Sequence, residues 1–131
     1  DQMCDKADEA YSQMLRAEEK INKICDYLID LRQTSDEYLR TLVEVKNIYK
    51  KHLSTLEHLV NTGRTDWNNY TEHERLAIEN TVLLVGLLYN MCKVELVIKS
   101  EREDGINTIN KVAISKSIHK ANTLMADRNL R

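Results

Sequence analysis

Four histidines, three cysteines, one tryptophan and two lysines a helical turn apart are the side chains with the most chemical reach in this sequence. None of His52, His58, His73 and His119 stands three positions after a Glu. The Glu-x-x-His pairs that hold two metals inside helical bundles are therefore missing. Cys-x-x-Cys zinc pairs, phosphate-cradling glycine loops and nucleophile elbows do not occur either. His52 falls on an apolar helical seam and reads as a hydrogen-bonded core residue. Glu72-His73-Glu74 reads as a solvated first helical turn, where acids suit the positive end of the helix dipole. The expectation is a protein with no catalytic residue, no metal ligand and no cofactor, and so not an enzyme.

Groups suited to binding are present. Trp67 stands in a segment without period, Arg64-Thr65-Asp66-Trp67-Asn68-Asn69-Tyr70. Either it folds back as a lid on the end of the fold, or it stands exposed with Arg64 and Tyr70. The second arrangement matches the aromatic-and-arginine make-up of interface hot spots. Lys116 and Lys120 share one helix face, as a charged rim to such a surface or as an ordinary solvated face. Asn69-Tyr70-Thr71 is a glycosylation sequon in the same segment, in keeping with a secreted chain.

The elements that must position these groups are helical. Met3, Ala7, Ala10, Met14, Ala17, Ile21, Ile24, Leu28 and Leu31 are spaced alternately four and three apart. That spacing gives one apolar seam on a helix over about 4–32, which other helices must cover. Thr34-Ser35-Asp36-Glu37 has the form of a capping box and predicts a second helix, with a seam running from Tyr38 through Leu42, Val45, Tyr49, His52 and Leu56 to Leu59. Gly63 follows where a left-handed C-cap is wanted. A second box, Thr71-Glu72-His73-Glu74, opens a third helix to about 101. Asp104-Gly105 breaks it, and a fourth helix covers about 107–127. Short connections between long rods favour an antiparallel, up-down-up-down four-helix bundle, all-α, with residues 1–131 as one domain.

Helix three is apolar on every side from Val82 to Cys92, except at Gly86 and Asn90. Such a helix sits at the centre of a bundle or under a partner, and the run is too short to span a membrane, which takes about 20 residues. In an up-down bundle helices one and three run parallel, and Cys25 and Cys92 each lie about twenty residues in. They are expected at the same level, as a disulfide if Gly86 lets the two helices approach, or else as two buried thiols. Cys4, about 31 Å from Cys25 along one helix, is the odd cysteine and the candidate for joining two chains as a dimer.

Composition narrows the class further. Pro and Phe are absent, Gly occurs only three times, and the net charge is −2, which gives no sign of a nucleic-acid binder. The charge is uneven. Residues 1–19 carry −6 + 2 = −4 and residues 107–131 carry +5 − 1 = +4. In a bundle whose first and last helices are neighbours these would face each other; otherwise the basic end is a binding patch. The start at Asp1, with no apolar leader, suggests a mature exported chain whose signal peptide has been removed.

The stretch TEHERLAIENTVLLVGLLYNMCKVELVIKS, the helical character throughout and the Asp1 start resemble the albicin-like family of anopheline mosquito salivary complement inhibitors. The likeness is one of overall type, without a diagnostic motif, and it carries over no binding residue. It implies a secreted protein that binds the host's alternative-pathway C3 convertase, a plasma protein complex, and inhibits it without catalysis. Two other classes stand beside it. One is a carrier holding a small hydrophobic ligand near helix three, which needs a cavity of some hundreds of Å³. The other is a structural or signalling bundle that binds a partner helix.

Overall fold

The computed structural model describes residues 2–64 and 66–131. Its first element, α1, runs unbroken from Gln2 to Val60. A turn closed at Gly63 and a single 3₁₀ turn over Trp67–Asn69 lead to α2, Glu72–Cys92. A short antiparallel ladder pairs β1 (Val97–Ile98) with β2 (Thr108–Ile109), and α3 covers Lys111–Asp127. The chain is all-α in class, with three α-helices among the described residues rather than the expected four.

The break expected near residue 33 is absent because nothing there forces one. No Pro or Gly lies between residues 2 and 60. Thr, Ser and Asp inside a helix cost about 0.7 kcal/mol or less each relative to Ala, whereas two new helix ends would leave backbone groups to be satisfied elsewhere. Thr34 does not cap. Its hydroxyl donates to Asp30 Oδ1, one turn back, at 3.3 Å. The box at Thr71 does form, with Glu74 N–H donating to Thr71 Oγ1 at 3.1 Å and Thr71 N–H donating to Glu74 Oε1 at 2.9 Å. A sequence box starts a helix when the residues before it have already turned, as those around Gly63 (φ +75°) have.

The third helix ends at Cys92, nine residues before the expected stop. Lys93-Val94-Glu95-Leu96 alternates polar and apolar, the period of a strand, and Val94 and Leu96 pack against the core. Asn107 and Asn110 hold the return. Asn107 Oδ1 accepts from Ser100 N–H at 2.9 Å and the Asn110 amide donates to the Glu95 carbonyl at 3.0 Å. The last helix accordingly begins at Lys111 instead of 107. It closes with Asn129 in the left-handed region (φ 52°) and Leu130 N–H donating to the Met125 carbonyl at 2.9 Å. That C-terminal motif tucks Leu130 into the core beside Met125.

The core is one cluster: Tyr38, Val45 and Ile48 from α1, Leu84, Leu87 and Met91 from α2, and Ile114, Ala121 and Met125 from α3. Tyr38 ties all three helices, since its hydroxyl donates to the Met91 carbonyl at 2.8 Å and lies 2.9 Å from Ser117 Oγ. Burial holds this phenol above its ordinary pKa, with the Ser117 hydrogen bond opposing. His52 turns its Nδ1 to the Ile48 carbonyl at 2.9 Å and is half-buried. A carbonyl can only accept, so Nδ1 carries the proton. All of this body lies on the second half of α1. Every residue from 2 to 26 is exposed; where that arm joins the body, Asp26 and Tyr27 border a hollow with Ile106 to Ile109, and Asp30 pairs with Lys111 at 2.8 Å.

Candidate protein-binding face

The Trp67 segment is held by a cation network. Arg64 pairs with Glu74 through both guanidinium nitrogens, reaches the Asn69 carbonyl at 3.2 Å and stacks over Tyr70 at 4.8 Å from its ring centre. Tyr70 closes the loop by donating its hydroxyl to the Arg64 carbonyl at 2.7 Å. The Arg64 hydrogen bond, followed by that from Thr71, holds the Glu74 carboxyl down at about 2, and Glu74 in turn raises the Arg64 guanidinium. Arg75 donates to the Trp67 carbonyl at 3.2 Å and lies 5.7 Å from the Trp67 ring centre. Trp67 is 44% exposed. It is fixed at its base and open on one face. Thr65 lies outside the described residues. Asn69 is exposed at the end of the 3₁₀ turn, where an enzyme could reach the sequon.

From Trp67 a shallow hollow passes Ile78 and Glu79 to Val82 and Leu83. The same two residues begin a groove of about 640 Å³ between α2 and α3. Its floor is Gly86, Leu87 and Leu124, and Lys116, His119 and Lys120 stand along its α3 wall. The two surfaces picked separately in the sequence, the Trp67 loop and the Lys116/Lys120 pair, are thus joined along one side of α2. Val82 and Leu83 make the join, and periodicity did not single them out: a helix apolar all round gives no sign of which side is left open.

Two expectations are corrected here. The apolar run of α2 is not central, because Val82 is 61% exposed and Val85 and Tyr89 are also open. Its Leu84, Leu87 and Met91 side alone is buried. The Cys25–Cys92 disulfide is not formed, and both residues are exposed thiols. The premise of matched heights fails once α1 is one rod. Met91 is level with Tyr38, which places Cys25 about 20 Å further out along the helix. Among the described residues the acids paired with the basic end are Asp30, Glu79 and Glu44, none of them from the acidic first nineteen.

Among the described residues no group of His, Cys, Asp and Glu is arranged to hold a metal ion, and no helix is long and apolar enough to cross a membrane. Comparison with protein-family models, curated proteins and solved structures gives no match to the chain.

Proposed function

We propose that the protein acts by binding another protein through the α2 side that runs from Trp67 to Lys116 and Lys120. The observation that carries this reading is the continuity of that surface. An anchored, half-exposed tryptophan leads through Val82 and Leu83 into an apolar groove with a basic wall. Hot-spot residues inside a polar rim are how protein interfaces are built. The setting proposed is extracellular, on the Asn69-Tyr70-Thr71 sequon. The first target is the host's alternative-pathway C3 convertase, on the type-level resemblance alone.

The test pairs recovery of partners from vertebrate plasma with alternative-pathway haemolysis. Trp67→Ala should weaken capture by about 2 kcal/mol or more. Lys116→Glu with Lys120→Glu should mainly slow association and change its salt dependence. Circular dichroism establishes that both variants are folded. Unchanged plasma binding in both removes this surface, and lysis unaffected by the parent protein removes the complement target.

A carrier reading has one observation in its favour, the volume of the groove, which falls in the range of small-ligand sites. Saturable uptake of an apolar fluorophore, lost in Gly86→Leu, would support it.

A further inference from the structure

The chain carries two unmatched halves of a helix-packing contact. One is the arm. Residues 2–26 form a continuous, exposed stretch of helix, and Met14, Ala17, Ile21 and Ile24 lie along its seam in water. The other is the groove, where α2 and α3 both pack on α1 but stand apart from each other. We infer that they cover each other between copies: the arm of one chain lies in the α2–α3 groove of a second copy, whose own arm returns the contact. This rests on the reading of that face as a protein-binding surface and names an occupant for it.

Length agrees. At 1.5 Å per residue the arm is about 37 Å long and α2 about 32 Å. Charge agrees as well. Residues 2–26 carry −6 + 4 = −2, while the α3 wall presents Lys116, Lys120 and His119 against Asp127. Direction agrees, because a two-fold axis perpendicular to α1 reverses the arm and sets it antiparallel to the partner's α1 and parallel to its α2. The arm then supplies each body with a fourth helix. The reciprocal exchange closes at two chains instead of running on as a filament.

Gly86 gives the most specific sign. A glycine inside a helix weakens it relative to alanine, and close approach of another group to the backbone is one reason for having one. Among the described residues nothing approaches it, since a Cβ built at Gly86 meets no atom within 4 Å. Gly86 lines the groove, where an incoming helix would come closest. A host protein using the same face would compete with the arm.

Sedimentation of the full chain is the experiment, at a concentration on the order of 100 µM, which reveals even weak pairing. The chain should be a dimer. Ile21→Asp with Ile24→Asp disables the arm. Gly86→Leu fills the groove while raising helix propensity, so its body should melt no lower than the parent's. Each variant alone should be a monomer. Mixed, they should form a one-to-one pair, because one intact arm still meets one intact groove. A monomeric parent chain overturns the inference, and so does a dimer that survives Gly86→Leu, which would mean arm-to-arm pairing. A monomeric parent whose plasma partner is nevertheless lost in Gly86→Leu would defeat self-association and keep the host-binding face. A dimer lost in Gly86→Leu with plasma capture unchanged would do the reverse.

Discussion

The two halves of α1 carry the same kind of seam and meet opposite fates. From Tyr38 to Leu59 the seam is covered by α2 and α3, and Val45 is completely buried. From residue 2 to 26 it is open along its whole length, with Ile21 57% and Met14 68% exposed. A four-three spacing thus states that a face is to be covered without stating what covers it. Within the covered half, the lock is polar as well as apolar, through the Tyr38 hydroxyl. The open half carries an exposed pair, Glu19 with Lys23 at 3.3 Å, of a kind that contributes a few tenths of a kcal/mol. Most helical stability in proteins comes from packing of an amphipathic face, and the seam of the arm is left open where that of the body is covered.

That contrast can be broken first at the body. Leu84→Ala removes a fully buried side chain and should cost about 2–5 kcal/mol in denaturant unfolding, equally at every protein concentration. A concentration-dependent loss would move Leu84 into an interface. Tyr38→Phe keeps the ring but withdraws the donor from the Met91 carbonyl and the partner from Ser117. A loss of about 1–3 kcal/mol is expected, together with disappearance of the parent's alkaline sensitivity. The sign follows from the raised pKa of this phenol: its contribution is complete below the ordinary tyrosine value and is lost as pH rises through the folded one.

A smaller effect sits at the Trp67 loop. The Glu74 carboxyl is lowered from 4.5 to about 2, so its contribution is present above pH 4.5 and is lost as pH falls towards 2. Glu74→Gln should lower the melting temperature at neutral pH and flatten the acid side of the melting profile. An unchanged profile would show that the Arg64 pair is not formed in solution. The smallest effect belongs to the arm. Ile24→Ala should leave the melting of dilute protein unchanged and lower that of concentrated protein only. Equal loss at both concentrations would place Ile24 against its own body.

Much of this was legible in the residues. Both helix starts and stops around 60–72 were written in Gly63 and in the box at Thr71, because a capping box after a turn has only one use. Helical class, the absence of a spanning helix and the grouping of Arg64 with Tyr70 were equally plain. The box at Thr34 misled, since capping residues are tolerated inside a helix when a side chain such as Asp30 takes their hydroxyl. The hairpin after Cys92 was hidden because four alternating residues also fit the tail of a helical stripe. The groove was hidden most completely. It arises from the separation of α2 and α3, a long-range quantity that no local pattern encodes, and Gly86 was its single trace in the sequence.

Hydrogen exchange of the amides of residues 2–26, followed in concentrated and in highly diluted full-length protein, tests the exchanged-arm account most directly. The account predicts arm amides protected to the level of α2 in the concentrated sample and exchanging as a frayed helix on dilution, while the Tyr38–Leu59 amides stay protected in both. Arm amides that exchange equally fast at both concentrations would contradict it.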